Sequence, residues 1–309
     1  MTTALFTHPA CLAHDPGEWH PECPDRLRAV LQALEAEEFA PLLREVAPEA
    51  EEVVLLRVHP LAHVRAILAI RPAAGELVRI DADTAMSAGS AEAALRAAGG
   101  AVAAVDAVME GWAHNAFVAT RPPGHHAEAA QAMGFCLFAN AAIAARHAQA
   151  RWGLSRVAVV DFDVHHGNGT QAIFVDDPSL FYGSSHQYPC YPGTGAAHER
   201  GVGNIVNVPL PPGADGMAFR GAWDDILLPA LDAFAPELLI VSAGFDAHIA
   251  DPLAELRVRT PDFAWLTGRL LAAAERHCKR RLVSVLEGGY DLAALADASA
   301  AHVRTLMLG

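Results

Sequence analysis

The sequence predicts a single-domain α/β fold, a mainly parallel central β-sheet flanked by helices. Short β-branched apolar runs alternate with longer Ala/Leu-rich segments of helical period, the pattern of strands joined by crossover helices. No Ser/Gly linker, charge block or internal repeat divides the 309 residues, so residues 1–309 read as one domain with one large core. The polar residues capable of chemistry stand just past strand ends, where open α/β sheets build ligand sites.

Strands are expected over residues 52–58, 116–120, 157–163, 179–184, 205–208, 238–242 and 282–286, where apolar and β-branched residues cluster. Helices are expected over 25–38, 91–110, 138–151, 217–234, 261–279 and 292–308. The helix at 261 opens on Thr260-Pro261-Asp262, read as an N-cap, a first-turn proline and an acid near the positive end of the helix. The Gly/Pro-rich stretches 188–195 and 209–216 read as long functional loops.

Composition removes several function classes. Hydrophobic residues make up 52% of the chain and charged ones 19%, which suits a packed globule and not a disordered chain. The net charge is −14 and no Lys/Arg cluster of the kind that tracks a phosphate backbone occurs, so no nucleic-acid partner is expected. An acidic surface serves solubility, and it also attracts cationic substrates such as Lys-rich segments or polyamines. The five cysteines are scattered without a C-x-x-C pair and read as reduced structural thiols. Residues 1–17 lack a basic segment followed by an apolar run. No uncharged apolar stretch approaches the ~20 residues of a membrane span, so no membrane is expected and a cytoplasmic location is the default.

The most informative run is Val157-Ala-Val-Val-Asp-Phe-Asp-Val-His-His-Gly-Asn-Gly-Thr170, an apolar strand ending in two acids and two histidines. If it stays extended, Asp161, Asp163 and His165 share one face, because strand side chains alternate. Asp163 and His165 then supply two ligands of the kind a catalytic zinc accepts, with a coordination position left open for water. A salt-bridged or helix-capping cluster is the alternative, but ionisable groups facing inward from an apolar strand need partners or a metal. Asp246, just past the apolar run 238–242, is the candidate third ligand; taken alone it reads better as an N-cap. His248 is a weaker candidate, equally a solvated loop histidine.

Arg121-Pro-Pro-Gly-His-His-Ala127 follows another predicted strand, and its prolines and glycine give the loop a defined shape. Adjacent histidines there suit proton transfer near neutral pH. Leu286-Glu-Gly-Gly-Tyr-Asp-Leu292 closes the set; Tyr290 could donate a hydrogen bond to a developing oxyanion, or simply pack. A nucleophile elbow, a P-loop and a dinucleotide fingerprint are all absent from the sequence.

With these motifs in hand, the chain resembles the histone deacetylase superfamily, and within it the class II-like branch of bacterial acetylpolyamine and related amidohydrolases. The resemblance runs from His20-Pro-Glu-Cys-Pro-Asp-Arg26 through Met133-Gly-Phe-Cys136 and Tyr191-Pro-Gly-Thr-Gly195 to Glu287-Gly-Gly-Tyr290. It implies an arginase/deacetylase-like fold and one zinc ion on Asp163, His165 and Asp246. It implies His126 as the base acting on zinc-bound water, His125 as an electrostatic partner oriented by Asp161, and Asn168 as the class II partner of His126. Losing an aspartate's charge at Asn168 should leave His126 less basic.

The same resemblance places Gly134 and Phe135 on one wall of a substrate channel, Tyr191 on the facing wall, and Leu253 where lysine deacetylases of class II often carry leucine and a polyamine-selective member carries glutamate. It implies a potassium ion at Asp161, Asp163, His165, Ser184 and Ser185, and Arg26 on the product-release side. The implied activity is metal-dependent deacylation of an acylated lysine or a small acylated amine, by a chain that is a candidate homo-oligomer. A two-metal manganese hydrolase of the arginase type would need extra bridging aspartates, whereas Gly244-Phe-Asp246 and Gly167-Asn168 offer one obvious carboxylate. In a non-enzymatic acyl-lysine module the proton-transfer set would be surplus.

Overall fold

Every residue of the strand Val157–Asp161 is buried, because helices cover both faces of the sheet to which it belongs. Ala158 and Val160 pack into one apolar cluster and Val157 and Val159 into another on the opposite face, so a period of two serves two cores at once. The computed structural model describes all residues, 1–309. In chain order it comprises β1 (Thr3–Thr7), α1 (Pro24–Ala33), β2 (Leu43–Val46), α2 (Glu52–Leu55), α3 (Leu61–Ala69), β3 (Val78–Arg79), β4 (Ala85–Met86), α4 (Ser90–Glu110) and β5 (Asn115–Val118). There follow α5 (Asn140–Trp152), β6 (Val157–Asp161), α6 (Asn168–Phe174), β7 (Leu180–Gln187), β8 (Ile205–Leu210), α7 (Gly216–Ala222), α8 (Leu228–Phe234), β9 (Leu238–Ala243), α9 (Thr260–His277), β10 (Leu282–Leu286) and α10 (Leu292–Leu308).

Eight strands form one sheet in the order β2-β1-β5-β10-β9-β6-β7-β8, with all neighbours parallel. The expected single-domain, mainly parallel architecture is therefore the observed one. Register levels the strand ends: Asp161 lies opposite Ser184 on β7 and Ser242 on β9, and Ser242 lies opposite Val285 on β10. The loops leaving β5, β10, β9, β6 and β7 thus rise from five adjacent strands at one crest, the place such sheets put their sites.

Three local expectations are corrected. Residues 52–58 were expected as a strand, yet α2 occupies 52–55; Val54 and Leu55 are buried beside a partly buried Val58 while Val53 and Leu56 are exposed. Burial at i, i+1 and i+4 is a helical face, and the pocket between α4 and α5 selects it over β propensity. The strand from Val157 stops at Asp161, because the Asp163 N–H turns back to the Asp161 carboxylate at 3.1 Å. Asp163 and His165 accordingly sit in a loop, and strand alternation is not what orients them. At α9 the N-cap is Arg259, not Thr260, and Asp262 accepts the Arg259 N–H at 2.9 Å. Among the other helices, 217–234 contains a π-helical turn, Trp223–Leu227, that buries Trp223 with its indole N–H on Ser185 Oγ at 3.0 Å.

Beside the crest, Glu22 is fully buried and accepts from Arg121 Nε at 2.5 Å, Arg121 Nη2 at 2.7 Å and Arg26 Nη1 at 2.9 Å, with His14 Nε2 at 3.2 Å. Burial would raise its carboxyl, but Arg121 and its neighbours hold it well below the usual carboxylate range. Removing one partner of such a cluster strands buried charge. Glu22→Gln should therefore lower unfolding free energy by about 3–5 kcal/mol, read from urea denaturation; an unchanged midpoint would contradict it.

Candidate active site

The loop after β6 carries Asp163 and His165, and the loop after β9 carries Asp246; their ligand atoms all lie within 4.8 Å of one another, fully inside the protein. His165 Nδ1 stands 3.1 Å from Asp163 Oδ1 and 3.1 Å from Asp246 Oδ2. The other carboxylate edges are occupied by backbone donors: Asp163 Oδ2 accepts from Gly288 N at 2.8 Å, and Asp246 Oδ1 from Val164 N at 2.8 Å. Asp246 is thus no N-cap. His248 lies outside the cluster, where its Nδ1 accepts the Ala250 N–H at 3.2 Å.

Glycine makes the close approach possible. A Cβ at Gly288 would collide with carboxylate oxygens of both Asp246 and Asp163, and one at Gly244 with Asp163. This cradle, with two carboxylate oxygens and one imidazole nitrogen aimed at a common point, fits a divalent metal of nitrogen and oxygen preference. Burial, then the charge of Asp163, pushes the Asp246 carboxyl up to about 7. Burial opposes protonation of His165, but its hydrogen bonds to Asp163 and Asp246 outweigh this and raise it well above the usual imidazole value. The two carboxylates thus draw positive charge to this point, and a bound cation would supply it in place of the proton on His165.

The tandem histidines come from the loop after β5. Glu287, at the end of β10, pins that loop: it accepts from Gly124 N at 2.7 Å and His125 N at 3.2 Å, and Ser242 Oγ donates to it at 3.0 Å. His125 Nδ1 meets Asp161 Oδ2 at 3.0 Å, and the Tyr182 hydroxyl donates to the same oxygen at 3.1 Å. Burial disfavours charge on His125, but Asp163 and Asp161 raise it to about 10. His126 is driven well below its usual value by burial and then by the charge of His125. One imidazole is held cationic and its neighbour neutral, the division a charge stabiliser and a base require. His126 Nδ1 lies 2.8 Å from Asn168 Oδ1, and Asn168 Nδ2 donates to Glu128 Oε1 at 2.9 Å.

A pocket of about 210 Å³ opens onto these groups, lined by Asp83, His126, Gly134, Phe135, His165, Tyr191, Leu253 and Tyr290. Gly134 and Phe135 both have positive φ, 55° and 68°. That bend lays Gly134 against the His126 ring, where a Cβ would clash, and turns the Phe135 ring to 5.9 Å from that of Tyr290. Tyr191 stands edge-on to His126 at 5.0 Å. Behind the pocket, Arg26 donates to the carbonyls of Glu287 and Gly289 at 2.5 Å and lies 4.8 Å from the Tyr290 ring centre. Ser184 and Ser185 lie below the crest, bonded to His186 and Trp223.

Sequence reasoning assigned no role to Glu287, Asp83, Glu128, Tyr182 or Asp251. Glu287 stands within the Leu286–Leu292 run, and its burial, like that of Asp251, is the signal the sequence lacks. Asp251 Oδ2 accepts the Tyr290 N–H at 2.7 Å and Oδ1 the Leu253 N–H at 3.0 Å, tying two pocket residues to one carboxylate.

Known proteins share this fold and sequence pattern. The family model for the histone deacetylase domain matches residues 20–306. The chain is 41% identical over 312 residues to the histone deacetylase-like amidohydrolase of Pseudomonas aeruginosa, covering 94% of this chain and 82% of the relative. It is 39% identical over 305 residues to a probable deacetylase of Archaeoglobus fulgidus, with coverage of 94% and 82%. The crystal structure of the HDA15 HD domain matches with a TM-score of 0.93 at 36% identity, over 99% of this chain and 89% of that one. An eight-stranded parallel sheet that brings an Asp-His-Asp cluster and paired histidines to one crest is thus this chain's version of a shared domain, and the chain belongs to the histone deacetylase family of hydrolases.

Proposed function

We propose that the chain is a zinc-dependent amidohydrolase of the class II-like kind that removes acyl groups from amines, with acetyl-lysine side chains of proteins or peptides as its substrates. The observation that carries this reading is the convergence on one aromatic-walled pocket of a metal-ligand cluster, a neutral imidazole and a phenol. Asp163, His165 and Asp246 would hold the zinc ion, which would supply Lewis acidity toward the amide carbonyl and the attacking water. His126, through the ring nitrogen not bonded to Asn168, takes the proton of the attacking water and returns one to the leaving amine. Tyr290 donates a hydrogen bond to the carbonyl oxygen as negative charge builds on it. His125, kept cationic by Asp161 and Asp163, offsets that charge from behind. Phe135 and Tyr191 hold an aliphatic stem between aromatic faces, and Arg26 marks the side through which the acid product leaves. A potassium ion beneath the site and a cytoplasmic location belong to the same reading; the levelling of Asp161 with Ser184 supports the first.

Leu253 on the pocket wall favours the lysine substrate, since it offers no charge to a second amine. Asp83 favours a second reading, because its carboxylate lines the same pocket and suits the distal ammonium of an acetylated polyamine. Comparing kcat/KM for acetyl-lysine peptides, longer acyl-lysines and acetylpolyamines separates the two; peptides should lead, and a polyamine lead would reverse the assignment.

Three outcomes test the chemistry. Exhaustive chelation should abolish hydrolysis and zinc should restore it at one ion per chain; two ions per chain, or activity surviving chelation, would overturn the mononuclear mechanism. Tyr290→Phe should lower kcat by roughly 10²–10³-fold, and wild-type turnover in that variant would remove Tyr290 from oxyanion stabilisation. Gly288→Ala places a methyl against both ligand carboxylates, so zinc affinity measured by competition with a chromogenic chelator should fall by roughly 10–100-fold while the fold persists.

A further inference from the structure

The base assigned to His126 depends on which way an amide points. Asn168 Oδ1 faces His126 Nδ1 at 2.8 Å, while its Nδ2 lies 2.9 Å from Glu128 Oε1 and 3.4 Å from Met133 Sδ. The two ends of an asparagine amide have nearly the same size, so shape alone does not choose between them. With oxygen toward the ring, Nδ1 carries the proton and the pocket-side nitrogen keeps its lone pair. Flipped, the amide would donate to Nδ1, the proton would move to the pocket side, and the base would be lost.

We propose that Glu128 is the positioning residue that fixes the orientation of Asn168 and, through it, the tautomer of His126. The inference rests on the reading of His126 as the base. An ionised carboxylate only accepts hydrogen bonds, so Glu128 selects the amide NH2, and a flipped Asn168 would set two acceptor oxygens against each other at 2.9 Å. Glu128 is itself placed by the chain: its N–H donates to the Gln131 carbonyl at 2.9 Å, two residues beyond His126 on the loop that Glu287 pins. An aspartate at position 168 would accept from His126 in either orientation and would gain nothing from Glu128, which would repel it. The two positions are therefore coupled with a sign that depends on the residue at 168.

The test is a double-mutant cycle of Glu128→Ala and Asn168→Asp in the zinc-loaded protein, read as kcat and KM on an acetyl-lysine peptide, with zinc content and melting temperature beside them. Glu128→Ala should lower kcat by roughly 10–100-fold with KM and zinc content unchanged, the usual cost of losing an orienting partner. Asn168→Asp alone should also fall below wild type, and adding Glu128→Ala to it should raise kcat again. Glu128→Gln, whose amide can accept or donate, should lie between wild type and Glu128→Ala. Wild-type kcat in Glu128→Ala, or equal losses in both backgrounds, would overturn the inference, the latter by showing that Glu128 acts on the loop. A second readout separates this from the functional reading: nitrogen-15 NMR of His126 should show the Nδ1-protonated tautomer in wild type and an added Nε2-protonated population in Glu128→Ala. If wild type hydrolyses no acylated amine the functional reading fails, while an unchanged tautomer in Glu128→Ala sinks the positioning role by itself.

Discussion

Four carboxylates, Asp161, Asp163, Asp246 and Glu287, are buried together at the crest of one sheet, and neutralising them is the constraint that organises the rest. Each ion taken from water costs several kcal/mol unless paired and hydrogen-bonded. The donors come from different strands: Gly288 of the β10 loop serves Asp163 of the β6 loop, Val164 of the β6 loop serves Asp246 of the β9 loop, and Gly124 of the β5 loop serves Glu287. Satisfying the charges therefore stitches the four loops of the crest to one another. The backbone donors leave one oxygen of Asp163 and one of Asp246 turned toward His165, the edges on which a cation could be held.

A second buried cluster extends this rigidity to the phenol. Glu22 compensates Arg26 and Arg121; Arg26 then holds the Glu287 and Gly289 carbonyls, while Asp251 holds the Tyr290 N–H. The backbone leading into Tyr290 is thus fixed by charged hydrogen bonds, stronger than neutral ones. A group that must meet charge only as it develops benefits from such support, because nothing has to reorganise during the reaction.

The parallel sheet was legible because its central strands are continuous apolar runs, and 282–286 agrees with β10 to the residue. The edge was not: β2 is exposed throughout, so no buried face patterned its sequence, and β1 is a five-residue strand fixed only by its pairing with both β2 and β5, Ala4 lying opposite Leu43 and Ala116. At the site, Asp163, His165 and Asp246 were readable as ionisable residues at the ends of apolar strands, but the reason given for two of them, strand alternation, is replaced by a loop that begins at Phe162. Glu128 and Asp251 were unreadable in physical terms, since an acid on a loop looks solvated until the fold shows which backbone or amide donor it faces.

The ionisable groups at the crest and the residues at the pocket mouth occupy different physical settings. The Asp163-His165-Asp246 cluster, the paired histidines and Glu287 are buried and interlocked across strands, so a change at one disturbs several others. Tyr191 and Leu253 remain 37% and 38% exposed on loops outside the strand register, and Asp83 stands on a turn tied by the Asp81 carboxylate to the Thr84 N–H at 2.6 Å. That turn meets the pocket wall at the Gly134–Phe135 bend, where the Phe135 N–H donates to Thr84 Oγ1 at 3.1 Å. Substitutions there alter the shape and charge of the entrance without touching the buried carboxylates. The interlocked cluster at the crest is consequently the constrained part of this site and the loops at the pocket mouth its freely variable part.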